Sequence, residues 1–262
     1  MNDLVIEVSN LSIEYRTRDK AILAVDDVSL DIRENQILGI VGESGSGKST
    51  LAHSLIGILP SEASVISGEI NLNGSDLLKL DQKDLNKIRG KEISIIFQNS
   101  LNCLNPTLSI LDHLKEVIPR GQKNKKDLCR SLLDEVGIRN SNNVLNMYPH
   151  ELSGGMKQRI MIAMCLITKP TLLIADEPTT ALDVTIQKQI LDLLIDIKSK
   201  LNSSIIVITH DIDVVASICD RIMVMLNGKN VEKGLTEKVF KNPSHIYTKE
   251  LINLAAMLKI SN

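Results

Sequence analysis

Two short stretches carry residues whose types and spacing could do chemistry. The first is Gly42-Glu43-Ser44-Gly45-Ser46-Gly47-Lys48-Ser49-Thr50, which fits the phosphate-loop pattern G-x-x-x-x-G-K-[ST]. Glycines at those places let the backbone curl until successive N–H groups point inward around a phosphate. A helix opening at Lys48 would offer its positive end to the same anion. Lys48 then answers the β- and γ-phosphate charge, Ser49 offers a hydroxyl to Mg2+, and Thr50 offers one to the α-phosphate. The competing reading is a glycine-rich turn followed by a chance Lys-Ser. The setting argues against it, because the apolar run Ile37-Leu38-Gly39-Ile40-Val41 precedes the loop and a helical pattern follows it.

The second stretch is Leu172-Leu173-Ile174-Ala175-Asp176-Glu177, with two carboxylates just past a buried strand. Parallel sheets bind ligands at the carboxyl ends of their strands. Asp176 is therefore a candidate to orient Mg2+ through its water shell. Glu177 is a candidate general base for an attacking water. Alone, the pair also reads as a solvated strand end. Ile208-Thr209-His210 repeats the arrangement, and a histidine there can reach a γ-phosphate; by itself it is as readily a polar loop residue. Gln98, after Ile93 to Phe97, says less still. The set is what carries weight: Lys48, Gln98, Asp176, Glu177 and His210 each follow an apolar run at its C-terminal end.

The elements that must position these residues are legible in outline. Leu4 to Tyr15 and Val25 to Ile32 alternate apolar and polar residues, as half-buried antiparallel strands do, with Arg16 to Lys20 as the connecting turn. Ile37–Val41, Ile93–Phe97, Leu172–Ala175 and Ile205–Ile208 are continuous apolar runs, which suit strands buried on both faces. Helical patterns separate them, most clearly Val184 to Leu201, where Ile186, Ile190, Leu193, Leu194, Ile197 and Leu201 share a face. Strands alternating with helices imply an α/β fold with a parallel sheet covered on both sides. From about Asn99 to Gly155 no such strand appears, and Leu108–Val117 and Lys125–Val136 look helical. Asn227-Gly228 reads as a turn between two short strands, followed by a helix near Thr236 to Lys241 and a short polar-apolar tail.

Composition narrows the class. A net charge of −2 gives no basic footprint, and five Phe and Tyr with no Trp give no base-stacking platform, so no nucleic-acid partner is expected. Cys103, Cys129, Cys165 and Cys219 are far apart and form no CxxC pair, which leaves thiols in a reducing compartment as the expectation. No signal peptide is expected from Met1-Asn2-Asp3-Leu4. Ile160 to Ile174, broken by Lys169-Pro170, is too short to span a bilayer.

Leu152-Ser153-Gly154-Gly155-Met156-Lys157-Gln158-Arg159 stands about twenty residues before Asp176-Glu177 and closely resembles the signature sequence of ATP-binding-cassette (ABC) proteins. A Ser-Gly-Gly turn can also be a mere helix N-cap. However, Ala181-Leu182-Asp183 resembles the D-loop of the same family, and the likeness runs in order from Leu4 to about Tyr247. The resemblance implies a P-loop NTPase fold. Residues 1–98 and 156–240 would form the ATP-binding core, with a parallel core sheet and an antiparallel β subdomain. Residues 99–155 would form an inserted helical subdomain ending in the signature, and residues 241–262 a short C-terminal tail.

It further implies that Tyr15 stacks on adenine, that Gly42 to Thr50 hold ATP with Mg2+, and that Gln98 senses the metal and touches a membrane partner. His210 resembles the switch histidine. Ser153 and Gly155 resemble the contacts made to the γ-phosphate on a second ATPase subunit, with Asp183 beside them. The chain would thus hydrolyse ATP as half of a head-to-tail pair, docked on two transmembrane permease subunits at the cytoplasmic face of the membrane.

Finer likenesses point to the dipeptide, oligopeptide and nickel importers. They are Phe97-Gln98-Asn99-Ser100-Leu101-Asn102-Cys103-Leu104-Asn105-Pro106, Tyr148-Pro149-His150-Glu151, Ala175 to Gln187, and the tail Asn242-Pro243-Ser244-His245-Ile246-Tyr247-Thr248. These importers pair two different ATPases and take cargo from an extracellular or periplasmic substrate-binding protein. A signature ending in Met resembles the first of the pair, so a second, non-identical ATPase is expected. Cys103 replaces the usual Ser or Ala. The chain stops at Asn262, without the cysteine-bearing extension of many peptide-importer ATPases, so no iron–sulfur cluster is expected. Peptide is the first expectation for cargo, and nickel or a metal chelate the second. A soluble ABC machine of DNA repair or the ribosome is the distant alternative, since no long coiled-coil insertion or second cassette is present.

Overall fold

The computed structural model describes residues 3–16, 20–98, 103–119, 121–180 and 182–260. Most of the turn expected at Arg16 to Lys20, the Asn99-Ser100-Leu101-Asn102 stretch and Ala181 lie outside them.

The chain opens with an antiparallel sheet. β1 (Leu4–Arg16) pairs with β2 (Ala21–Arg33) and with β4 (Ala63–Leu72), and β4 pairs with β5 (Ser75–Asp76), giving the order β2-β1-β4-β5. Ile6 and Val8, then Leu11 and Ile13, of β1 lie inside; the register shift between Val8 and Leu11 inserts an extra residue, which moves the buried positions from even to odd numbers.

The second sheet has the order β10-β9-β3-β8-β7-β6. Its strands are β3 (Ile37–Val41), β6 (Ile93–Ile96), β7 (Leu172–Asp176), β8 (Ser204–Thr209), β9 (Arg221–Leu226) and β10 (Lys229–Leu235). From β9 to β6 every neighbouring pair is parallel, and β10 returns antiparallel through the turn at Asn227-Gly228. The period of two explains why its central strands read as unbroken apolar runs. Leu38, Ile40, Leu172, Ile174, Ile206 and Ile208 face the antiparallel sheet and α1 (Lys48–Leu55). Ile37, Val41, Leu173, Ala175, Ile205 and Val207 face the helices of the other side.

Those helices include α7 (Val184–Leu201), whose Ile190, Leu193, Leu194 and Ile197 are buried, and α8 (Ile212–Ile218). α2 (Gln82–Ile88) leads into β6. Between residues 103 and 152 the described chain holds helices and turns only, among them α3 (Ile110–Val117), α4 (Lys125–Glu135) and α5 (Ser141–Val144), before α6 (Gly154–Leu166). α9 (Thr236–Lys241) stands where the sequence placed a helix. The short tail expected after it instead forms α10 (Ile246–Ile260), which packs against α8. The cause is local: the chain leaves α9 through Asn242-Pro243, and Tyr247, Leu251, Ile252 and Ala255 then find apolar cover on the helical side. Among the described residues no helix is long and apolar enough to cross a membrane.

Candidate nucleotide site

Four adjacent strands, β3, β8, β7 and β6, end level with one another: Val41 is opposite Thr209, Asp176 opposite Ile208, and Ile96 opposite Ala175. The residues that follow these ends are Gly42, His210, Glu177 and, one position further on, Gln98. The sheet therefore gathers side chains that the sequence scatters over 168 positions (42 to 210).

The loop between β3 and α1 is shaped by crowding. A Cβ on Gly42 would lie 2.2 Å from the Met225 carbonyl of β9, and one on Gly47, at φ +98°, would lie 2.2 Å from the Ala24 carbonyl of β2. Only glycine fits either place. The β9–β10 turn props the loop as well, with Gly228 N–H donating to the Ser46 carbonyl at 3.1 Å. Lys48 folds back under this arch. Its Nζ donates to the carbonyls of Gly42 and Glu43, both at 2.7 Å, and to Ser46 Oγ at 3.2 Å. Burial pushes the Lys48 ammonium below its ordinary value, opposed by the carboxylates of Glu177, Asp176 and Glu43. A cation held by neutral dipoles in a buried place is ready to take an anion.

Asp176 is buried at the end of β7, where desolvation raises its carboxyl above the usual range, against a hydrogen bond from Ser49 Oγ at 3.3 Å. Glu177 differs in every respect. Its backbone turns left-handed, at φ +49°, which costs a residue with a long side chain about 1–2 kcal/mol. Its N–H donates to the Ile208 carbonyl at 2.8 Å, which fixes that turn. Its side chain gathers donors: Thr180 Oγ1 at 2.7 Å, Gln98 Nε2 at 3.0 Å and His210 Nδ1 at 3.0 Å. Burial works to raise this carboxyl, and the hydrogen bonds from Thr180, His210 and Gln98, with the charge of His210, outweigh it and hold it below the ordinary glutamate value. An ionised Glu177 accepts, so His210 donates through Nδ1–H.

Ala24, Ser44, Gly45, Gly47, Lys48, Ser49, Thr50, Gln98 and Glu177 line a cleft of about 160 Å³. The sequence reading found most of these. It missed Thr180, whose only signal was its place after Asp176-Glu177-Pro178, and Ala24, which acts through its backbone. Tyr15 stands at the edge of the cleft, its hydroxyl 3.4 Å from Thr50 Oγ1. Ser153, Gly155 and Asp183 do not line the cleft. Ser153 caps α6 by accepting from Met156 N–H at 3.3 Å, and Asp183 caps α7 by accepting from Ile186 N–H at 2.9 Å. The two helix starts are neighbours, since a Cβ on Gly155 would lie 2.7 Å from the Ile186 side chain.

Comparison with known proteins bears on this geometry. The sequence profile of the family described as ABC transporter matches residues 25–180, more than half of the chain. The chain is 46% identical to the oligopeptide transport ATP-binding protein OppD of Haemophilus influenzae, covering 95% of this chain and 77% of that protein. It is 45% identical to the dipeptide transport ATP-binding protein DppD of Bacillus subtilis, covering 98% and 78%. Among solved structures, the cassette MJ0796 in a dimeric post-hydrolysis state with ADP and Pi superposes with a TM-score of 0.78 at 29% identity, over 88% of this chain and 98% of that one. CbiO1 of Clostridium perfringens, part of an ABC transporter complex, does so with a TM-score of 0.80 at 28% identity, over 98% and 100%. Matched by that profile over more than half of its length and by these relatives over nearly all of it, this chain belongs to the ABC transporter family, as an ATP-hydrolysing cassette of the P-loop kind.

Proposed function

We propose that this chain energises an importer of oligopeptides or dipeptides, as one of two non-identical ATPases that close over ATP. Identity of 45–46% across nearly the whole chain with proteins named for oligopeptide and dipeptide transport is the observation that carries this reading. It favours peptide over nickel or a metal chelate. The two ATPases would dock on two permease subunits at the cytoplasmic face of the membrane and be served by a substrate-binding protein.

The half-site reading rests on shape. A cleft of about 160 Å³ is below the ~300–1,000 Å³ of complete small-molecule pockets. Ser153, exposed at the N-terminus of α6, opens the kind of helix end that meets an anion held elsewhere, with Asp183 exposed beside it at the start of α7. A dimeric relative described with ADP and Pi supports the pairing.

Within the cleft, backbone N–H groups of Gly45 to Ser49 would cradle the phosphates. Lys48 would exchange its loop carbonyls for β- and γ-oxygens. The facing hydroxyl of Ser49 and carboxylate of Asp176 are hard oxygen donors. Among the described residues no cluster of three or more His, Cys, Asp or Glu converges, which fits an ion that draws most of its ligands from phosphate and water. They would hold Mg2+, which neutralises charge on the transferring phosphoryl group. Glu177 is the general base. Tied by Thr180, Gln98 and His210 it is a poor proton acceptor; as Gln98 and His210 turn toward the phosphates, an oxygen is freed for water. Tyr15 would pack on the base.

Glu177→Gln keeps the shape and one acceptor oxygen, replaces the other by an NH2 donor, and removes the basicity. In the assembled complex it should leave MgATP binding within twofold and lower turnover by 10²-fold or more. Hydrolysis near the wild-type rate would remove Glu177 from this role.

A further inference from the structure

The tail motif Asn242 to Thr248 has no part in the cleft described above, yet it reaches the phosphate loop. The hydroxyl of Tyr247, at the start of α10, accepts a hydrogen bond from Glu43 N–H at 2.9 Å. The opposite end of that same peptide group, the Gly42 carbonyl, accepts from Lys48 Nζ at 2.7 Å. A trans peptide is planar, with its C=O and N–H on opposite sides, so the two bonds grip one amide plane at both ends. Tyr247 is 7% exposed and sits in the helical-side core. Its approach is fixed from β10. Glu232 accepts from Ser244 N–H at 2.7 Å, Ser244 Oγ at 2.8 Å and His245 N–H at 3.0 Å. Tyr247 N–H then donates to His245 Nδ1 at 3.2 Å.

We propose that Tyr247 is a positioning residue for nucleotide binding: its hydroxyl locks the Gly42–Glu43 peptide so that the loop keeps its phosphate-binding shape when Lys48 lets go of it. The proposal rests on residues 42–50 being the ATP loop. While the cleft is empty, Lys48 itself restrains the amide plane, because a flip would turn an N–H toward its ammonium. Once Lys48 moves to the phosphates that restraint is lost. Gly42, with no Cβ, is then a soft pivot, and Tyr247 still holds the plane. Without the hydroxyl the loop spends part of its time flipped, and the apparent affinity falls in proportion to the competent fraction. Glu232 is the anchor that sets the reach of Tyr247, so the tail is coupled to the ATP site across 204 positions of sequence.

Tyr247→Phe removes the one oxygen. In the full chain assembled with its partners, KM for MgATP should rise about three- to tenfold, the loss of one part-buried hydrogen bond, with kcat within twofold. In the MgADP-bound chain, where Lys48 no longer restrains the plane, amide exchange at Glu43 should quicken by a similar factor, a readout independent of hydrolysis. Glu232→Gln should shift both in the same direction, by less. A KM and a Glu43 exchange rate both unchanged in Tyr247→Phe would overturn the proposal, as would a fall in kcat alone. Lys48→Ala separates the layers. If it abolishes MgADP binding while Tyr247→Phe behaves as wild type, the loop assignment stands and the tyrosine's role fails. If Lys48→Ala binds MgADP normally, both fail together.

Discussion

The phosphate cleft and the face around Ser153 and Asp183 hold their polar groups in opposite ways. At the cleft several groups are satisfied by residues far away in sequence, Ser49 by Asp176, Gln98 and His210 by Glu177, Glu43 by Tyr247, while Lys48 and Thr180 find theirs within six residues. On the other face the partners are three residues off, Ser153 with Met156 and Asp183 with Ile186, as simple helix caps. The fold assembles the first; the second needs only its own two helices. A group held by tertiary contacts is already in place in the isolated chain. At the start of α6, whose cap is a neutral hydroxyl, the positive end of the helix faces outward, toward whatever docks there. The difference teaches that the two halves of the proposed ATP site are built to meet, one holding the anion and one capping it.

The comparison breaks first at Lys48. Lys48→Ala strikes the cleft alone, removing a charge-assisted contact to phosphate worth roughly 2–3 kcal/mol, about a hundredfold in MgATP affinity. Equilibrium binding to the isolated chain reads it. An affinity within a few-fold of wild type would mean that this cleft does not hold the triphosphate.

Ser153→Arg strikes the other face alone. A bulky cation at the α6 N-terminus should lower turnover of the assembled complex about tenfold or more, through loss of the dipole-aligned cap and a clash with the facing subunit. MgATP affinity of the isolated chain should stay within twofold, because Ser153 does not line its cleft. Turnover unchanged, or isolated-chain affinity lowered, would erase the distinction between the two faces.

How much of this was legible in sequence follows the same divide. β3, β6, β7 and β8 announce themselves because both faces are buried, so apart from Ser94, Asp176, Ser204 and Thr209 their residues are apolar or glycine. α7 does so because one face is. β4 was not read, since Ser64, Ser67 and Glu69 share it with residues buried only near its end. α10 was read as a tail because Ile246, Leu254 and Met257 stay exposed and blur any single apolar face. Site residues that obey a local pattern, Gly42 to Thr50 and Asp176-Glu177, were found by spacing. Ala24 and Tyr247 were not, because what places them is a strand crossing or a helix docking that sequence distance conceals; Thr180, only three residues past Glu177, was not, because a lone hydroxyl there follows no pattern of its own. Tyr247 did stand within a recognised motif, but nothing in the motif says that it points at Glu43.

A smaller effect tests what supports the cleft half only. β2 and β9 supply the walls that shape the loop, through the carbonyls of Ala24 and Met225. One ion pair ties those strands across the two sheets: Arg221 Nη1 donates to Asp31 Oδ2 at 2.7 Å and Nη2 to Oδ1 at 3.1 Å. The Arg221 guanidinium holds the Asp31 carboxyl below its ordinary value, against a burial that works the other way. Because the folded value is depressed, the stabilisation is present above the unfolded carboxylate range and is lost as pH falls through the folded value. Asp31→Asn should therefore cost about 1 kcal/mol near neutral pH, modest because both partners are partly solvated. The gap from wild type should narrow below about pH 4 as Asp31 itself protonates. Urea unfolding of the two chains across that pH range measures it. A gap that persists undiminished at low pH would assign the cost to packing rather than to the pair, and the two walls of the loop would then owe their spacing to the apolar layer between the sheets.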